Sequence, residues 1–256
     1  LIIASYAFKD CTALWNISIP SRTVKIGDYS FSNTAIESAN LSSKVKTIGN
    51  NAFQSCNYLR NVVLSEGISE IGTEAFRSCP KLTKISIPST LKVIRSSTFR
   101  DCTGLASVSL KSGLQTIEHS WMGGAFEGCT SLKSITIPST VSKIDDYSFH
   151  NCTSLSTLSI NSGSVSLSIG SYAFDNTALT NLSIPTRVKS IGSNCFQSIT
   201  ALKSVYINDG LTQLSSEAFR NCTGLKTLRL PSTLTKIEGA TFRNCSSLTN
   251  ISIPSG

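Results

Sequence analysis

The sequence predicts a repeat solenoid, one long stack of short parallel strands wound around a single apolar spine. Three observations carry this. All eleven phenylalanines of the 256 residues fall in one column: Phe8, Phe31, Phe53, Phe76, Phe99, Phe126, Phe149, Phe174, Phe196, Phe219 and Phe242, a mean period of 23.4 residues. Around each the frame L-x-x-I-x-I-P-x-x-L-x-x-I-x-x-x-A-F-x-x-C-x-x-L recurs, clearest from Leu82 to Cys102. A unit of this length cannot bury its own apolar face, but stacked units paired at ~4.8 Å can, and eleven of them span roughly 50 Å.

The elements follow in order along the frame. Apolar residues alternate in Ile85-Ser86-Ile87, the mark of a strand with one buried face. Pro88 has no N–H to continue a ladder and ends that strand. Leu91 to Ile94 turns apolar groups inward again after a bend. Thr73 to Ser78 reads as a single helical turn capped by Thr73. No segment leaves the frame, so the expectation is one array of eleven units over residues 1–256, with no domain boundary or linker. Length changes are few. Four residues are inserted within Glu118 to Gly124, two extend Asn161 to Leu167, and one is missing before Ile36 and before Leu179. Such changes map to loops on one face, where repeat proteins vary binding.

Composition narrows the class. Apolar residues make up 40 %, charged residues only 15 %, and the missing polarity is carried by 45 serines. A disordered chain would show the reverse balance. No apolar run approaches the ~20 residues of a membrane-spanning helix. Leu1 to Asp10 lacks the pattern of a leader peptide, and the absence of an initiator Met points to a segment of a longer protein. The net charge is +8, with bases recurring in the second segment at Lys25, Lys46, Lys92, Lys143, Lys189 and Lys236. This reads either as a solvated face or as attraction to acidic partners such as sulfated or sialylated glycans. Aromatics at 7 % without a stacking platform speak against nucleic acid.

The L-x-x-L-x-L run followed by L-x-x-I-x-x-x-A-F-x-x-C resembles the BspA-type, or treponemal-class, leucine-rich repeat, and the resemblance covers essentially the whole chain. It implies a right-handed leucine-rich-repeat β/α superhelix with a parallel sheet on its concave face. It also implies a cell-surface or secreted adhesion protein of bacteria or mucosal protozoa, with partners on host matrix, host cells or neighbouring microbes. Fold alone does not fix function.

Chemistry-bearing residues are sparse. Eight of the nine cysteines share one column, at Cys11, Cys56, Cys79, Cys102, Cys129, Cys152, Cys222 and Cys245, where Thr34, Thr177 and Ile199 substitute. One per repeat is not metal spacing, and parallel side chains hold Cβ atoms too far apart to bridge, so buried free thiols are expected. Cys195 fills the small slot before Phe196. Stacking should bring Glu127, His150 and Asp175 together, either as a metal-capable acid–His–acid run or as charge compensation between rungs. No Ser–His–Asp grouping, carboxylate pair or phosphate loop is evident, which predicts a non-enzymatic chain without cofactor or metal. Asn-x-Ser/Thr triplets such as Asn16-Ile-Ser, Asn181-Leu-Ser and Asn250-Ile-Ser arise from composition. The ends, Leu1-Ile-Ile and Ser252-Ile-Pro-Ser-Gly, carry no polar cap, so frayed or covered terminal rungs are expected.

Two places stand out as binding residues. Down the array, the position between the two strand apolars reads Ser18, Asn40, Val63, Ser86, Ser109, Thr136, Ser159, Ser183, Tyr206, Arg229 and Ser252. It is a small polar floor broken on adjacent rungs by Tyr206 and Arg229, residue types that anchor interfaces. Lys203 and Lys226 on the same rungs add positive potential. The second place is the insertion, where Trp121 and the only methionine, Met122, serve no purpose in the spine and form either a contact site or a lid over neighbouring rungs.

Overall fold

The computed structural model describes residues 1–254; Ser255 and Gly256, the end of the uncapped C-terminal segment, lie outside the described residues. The chain winds as a parallel β-solenoid of about ten turns, with two strand ladders per turn. Leading strands such as Lys84–Ile87, Ser134–Ile137 and Ser204–Ile207 show the expected alternation of exposed and buried residues. Their parallel register pairs Ile85 with Val108, Ile135 with Leu158 and Val205 with Leu228. The second ladder is built from shorter strands, among them Thr47–Ile48, Val93–Ile94 and Lys143–Ile144, again parallel rung to rung. The leading ladder is not one unbroken sheet. It forms three two-stranded pieces and one three-stranded piece, and single bonds such as Ala178 N to Leu155 O at 3.0 Å span the gaps.

Between the second strand and the next leading strand, the helical turn expected around each Phe is absent. Among the described residues, twenty non-glycine residues have positive φ, and they fall two per rung in ten rungs, at the positions two before and two after the Phe. In the rung of Phe53 these are Asn51 and Ser55, and in the rung of Phe219 they are Glu217 and Asn221. A left-handed residue every fourth position breaks the run of φ/ψ that a helix needs. The N–H groups go elsewhere. Those of Asn51, Phe53 and Ser55 donate to the carbonyls of Thr73, Ala75 and Arg77 in the next rung at 2.8–2.9 Å. The intervening N–H groups close local turns, as in Gln54 N to Asn51 O and Cys56 N to Phe53 O. The segment is therefore a third inter-rung ladder.

This ladder sets the spine. The eleven phenylalanine rings stack continuously, with centroids 5.1–5.6 Å apart and planes within 13° of parallel. A spacing wider than one rung means offset stacking, which suits the ring quadrupole better than a face-on sandwich. Nine of the rings are fully buried.

The thiols are free, as expected, and buried, with one correction: Cys11 is exposed. They also do more than fill space. A Phe carbonyl has two lone pairs; an N–H of its own turn takes one in most rungs, as in Cys102 N to Phe99 O, and in seven rungs the thiol of the following rung takes another. Cys56, Cys79, Cys102, Cys129, Cys152, Cys222 and Cys245 donate to the carbonyls of Phe31, Phe53, Phe76, Phe99, Phe126, Phe196 and Phe219 at 3.0–3.2 Å. Where threonine substitutes, its hydroxyl turns to its own rung: Thr34 to Phe31 O at 2.8 Å and Thr177 to Phe174 O at 2.9 Å. Burial pushes the Cys56 thiol up from an ordinary value near 9 to about 11 and the Cys222 thiol to about 12.

One basic residue belongs to the core. Arg187 is 4 % exposed and faces no carboxylate. Its guanidinium donates to four carbonyls, Asn161 O at 2.7 Å, Val141 O at 2.8 Å, Pro138 O at 3.0 Å and Val165 O at 3.2 Å, and so clips the two-residue extension at Asn161 to Leu167 onto the stack.

Two outcomes follow. The unfolded chain gives up thiol protons from pH ~9 upward while the folded one holds them. Stability is therefore full below pH 9 and falls as pH rises toward 11, by on the order of 2–3 kcal/mol for Cys56 alone. Urea titrations at pH 7.5, 9.5 and 10.5 read this directly, and a flat profile would contradict it. Arg187→Ala should lose roughly 3 kcal/mol, because the Val141, Asn161 and Val165 carbonyls lose their guanidinium donor and Pro138 O keeps only Val141 N. Hydrogen exchange should then speed up first across residues 161–167.

Candidate functional site

The leading strands carry the strongest site expected from sequence. Their register brings Ser183 beside Tyr206 and Tyr206 beside Arg229. Both side chains stand outward, because their neighbours Val205, Ile207 and Leu228 take the buried positions of the same strands. Tyr206 is 46 % exposed. Lys203 and Lys226 are exposed at the entrance to these strands and adjacent in the stack, with Lys226 N bonded to Lys203 O at 2.9 Å. The structure therefore gathers all four residues on two rungs of one face. An open cleft of about 430 Å³ lies beside Arg229, lined also by Asn208, Asp209 and Ser232. A second of the same volume flanks Val63, another large residue in the outward column and 56 % exposed.

Charge is divided unevenly. Around the Phe turns, acids and bases pair: Arg77 with Glu74 at 3.1 Å, Arg100 with Glu127 at 3.2 Å and Arg220 with Glu217 at 2.7 Å. The second ladder pairs Lys143 with Asp145, Lys236 with Glu238 and Arg95 with Glu70. On the leading-strand face, Arg60, Lys84, Lys133, Lys203, Lys226 and Arg229 have no ion-pair partner among the described residues. Unpaired positive charge lies on the second segment as well, where Lys25, Lys46, Lys92 and Lys189 of the bases expected from sequence are exposed and have no ion-pair partner among the described residues.

The insertion is a small antiparallel hairpin, with His119–Ser120 pairing Gly123–Gly124. It is fastened to the preceding rung. Ser96 Oγ donates to Gly123 O at 2.9 Å, Ser97 Oγ to Met122 O at 3.0 Å, and Arg100 Nη1 also donates to Met122 O. At Gly124 the chain passes so close to the next rung that a Cβ would lie 2.0 Å from the Tyr147 carbonyl. The tip is Trp121-Met122. Trp121 is 90 % exposed, which rules out the lid, while Met122 is half-buried.

The acid–His–acid run resolves into two separate contacts. His150 Nδ1 lies 3.2 Å from Asp175 Oδ2, and Glu127 turns away to Arg100. No group of three metal-ligating side chains converges among the described residues. Sequence reasoning missed the tyrosines. Tyr6 and Tyr29 stack at 5.1 Å, and Tyr147 and Tyr172 at 4.9 Å, each two residues before its Phe and one repeat apart. Equal frame position on neighbouring rungs is the signal that would have found them.

The comparisons agree with this architecture. The model of the BspA type leucine rich repeat region matches six copies, over residues 1–106, 69–167 and 167–256. The chain belongs to this family. A leucine-rich repeat protein from Bacteroides ovatus ATCC 8483 is similar in structure at a TM-score of 0.79 and 28 % identity, over 99 % of this chain and 70 % of that one. A leucine-rich repeat protein of T. pallidum gives 0.59 and 28 %, over 68 % of this chain and 81 % of that one. No curated protein matches the chain. Family and fold are those of recognition scaffolds, and no helix of the described residues is long and apolar enough to cross a membrane.

The hairpin gives a prediction. Shortening Glu118 to Gly124 by four residues, to the length of the other rungs, should leave the solenoid folded and lower its thermal midpoint by a few degrees, since Ser96, Ser97 and Arg100 lose their partners. Loss of cooperative melting in a circular-dichroism scan would show that the hairpin is structural.

Proposed function

We propose that the chain is a non-enzymatic adhesion or recognition module, displayed at the cell surface or outside the cell, that binds host matrix or cell-surface proteins through its leading-strand face. The observation that carries this reading is the exposed pair Tyr206 and Arg229, in register on adjacent rungs, beside unpaired Lys203 and Lys226 at the entrance to the same strands. Tyr206 offers rigid amphipathic area and Arg229 a planar fork for a carboxylate, which together suit an acidic protein patch. Apart from Asn40 and Val63, the rest of the floor is serine and threonine, wettable and without a dominant contact, so the outliers set affinity. Trp121 and Met122, on a hairpin held rigid before any partner arrives, form a secondary contact that loses little entropy on binding.

The row of unpaired bases supports a second reading, a module for glycans or other polyanions on neighbouring cells. A passive spacer would show no binding at all. Salt separates the first two. Contacts made by exposed charges are screened within about 8 Å at 0.15 M and about 3 Å at 1 M, so polyanion binding should collapse at 1 M salt while an interface with an aromatic anchor persists. The test is a surface-binding screen against matrix proteins and a sulfated glycosaminoglycan at both salt concentrations. Tyr206→Ala with Arg229→Ala should weaken the protein partner by about a hundredfold and leave the thermal midpoint nearly unchanged. Retained affinity in the double variant would place the site elsewhere.

A further inference from the structure

The leading strands present three outward columns, and from Arg60 to Arg229 these columns hold no acid. Glu37, one rung before Arg60, is where the acid-free stretch begins. The column at the strand entrance carries Arg60, Lys133, Lys203 and Lys226, with serine, threonine and Ala106 between them. Lys84 stands in the second column and Arg229 in the third. All six bases are exposed.

Their order along the stack is regular. Arg60, Lys133 and Lys203 follow one another at intervals of three repeats, and Lys226 comes on the next rung. The backbone keeps this order, since Ser156 N donates to Lys133 O at 3.0 Å and Lys226 N to Lys203 O at 2.9 Å. At ~4.8 Å per rung, bases recur about every 14 Å and the row from Arg60 to Arg229 runs about 34 Å.

The second ladder also carries bases, but acids stand among them. Glu70 and Glu118 flank Arg95, Asp145 pairs with Lys143 and Glu238 with Lys236. A polyanion laid along that side would meet its own sign every few rungs. Laid along the leading strands, it would meet none.

What lies between the bases decides the kind of partner. A protein interface forms around a desolvated core of large apolar or aromatic residues within a polar rim. From the rung of Ala106 to that of Ser183, the three columns offer only Ala106, Lys133, Asn181 and hydroxyl side chains. A folded partner finds no anchor for its core on this stretch. A ligand held by spaced charges and by hydrogen bonds to hydroxyls needs none, and Tyr206 at the far end adds one flat face for a sugar ring.

We propose that this acid-free row binds a linear sulfated polysaccharide lying lengthwise along the leading strands, its sulfates on the six bases and its hydroxyls on the serine and threonine floor. The proposal rests on the polyanion reading given above and adds the ligand's class, its direction and its least length. Arg60 and Arg229 offer planar forks for sulfate, and the four lysines offer point charges. Once one base is engaged, each further contact is intramolecular, so affinity climbs with chain length until the row is filled.

The test is calorimetric titration of the whole chain with heparin fractions of defined length, and with polyglutamate of matched charge. A tetrasaccharide reaches the Lys203, Lys226 and Arg229 cluster alone, whereas a decasaccharide covers the row. Affinity should rise about a hundredfold from the first to the second, and only severalfold beyond. Lys133→Gln, in the middle of the row, should weaken the decasaccharide about fivefold, lower the slope of log affinity against log salt by roughly one, and leave the tetrasaccharide unchanged. Ser159→Glu, which sets an acid in the track, should cost the decasaccharide about tenfold. Lys46→Gln with Lys92→Gln on the second ladder should change neither. These side chains are exposed, so thermal midpoints should hold throughout. No binding of any heparin fraction would remove the polyanion reading and this proposal with it. Affinity that does not grow with length, that ignores Lys133→Gln and Ser159→Glu, or that falls in the second-ladder variant would keep that reading and overturn the lengthwise row. Equal affinity for polyglutamate would overturn the polysaccharide class.

Discussion

The structure depends on the inter-rung ladder at the Phe turns. In each of these turns, alternate N–H groups point toward the next rung and are received there by carbonyls, as when Phe149 N donates to Ala173 O and Phe174 N to Cys195 O, at 2.8 and 2.9 Å. All of them run in one direction. An ordinary β-strand cannot do this, since its donors alternate sides. It takes left-handed residues set into the turn, and two positive-φ positions, four residues apart, recur in every regular turn. The second ladder is parallel sheet, with bonds running both ways between rungs, Gly49 N to Ile26 O and Gly72 N to Ile48 O among them. The two kinds of ladder on two sides of the coil hold the rungs parallel, and the Phe stack and the thiol column inherit that spacing.

Much of this was legible in the sequence because a repeat states its period many times over. The Phe column, the strand alternation in Ile85-Ser86-Ile87 and the proline stops all rest on burial, and burial is what hydrophobic pattern reports. The turn was misread because Thr73-Glu-Ala-Phe-Arg-Ser78 has good helical residues and a good cap, and local propensity is a weak prior against a backbone that bonds to the next rung. The signal was nonetheless there. The position two after each Phe reads Asp10, Asn33, Ser55, Ser78, Asp101, Gly128, Asn151, Asn176, Ser198, Asn221 and Asn244, and Asn, Asp and Gly are the residues that enter the left-handed region most readily. The thiol bonds could not have been read at all. Burial selects cysteine, threonine or isoleucine alike, and only the geometry shows that the first two also answer a carbonyl.

The candidate site divides along the same line. Adjacent placement of Tyr206 and Arg229 needed only the register, and the register follows from the period. Which bases are free depends on side-chain reach between rungs, and this no frame position encodes. Glu74 accepts from Asn51 and Gln54 of the rung before and from Arg77 of its own, while Glu217 repeats the arrangement with Asn194 and Arg220. These networks pair acids with bases at the turns, while Arg60, Lys84, Lys133, Lys203, Lys226 and Arg229 of the leading-strand face are left without an ion-pair partner among the described residues.

A regular array faces a problem when it has to recognise something. Identical rungs present the same chemistry at every register, so a ligand can slide along them by one repeat with no change in contacts, and specificity needs a difference in energy between registers. The serine and threonine floor offers none. Differences arise only where the frame is broken, and the breaks that reach the surface are Val63, Tyr206 and Arg229 in the strand column, Trp121 on the inserted hairpin, and Tyr6, Tyr29, Tyr147 and Tyr172 in a slot held elsewhere by smaller or flexible residues. The core shows the opposite behaviour, with nine phenylalanines fully buried in one column and substitutions at the cysteine column limited to groups of similar size. Constancy inside and interruption outside are what separate the demands of folding from those of binding. They make the interruptions, rather than the repeat, the part of the surface able to discriminate between partners.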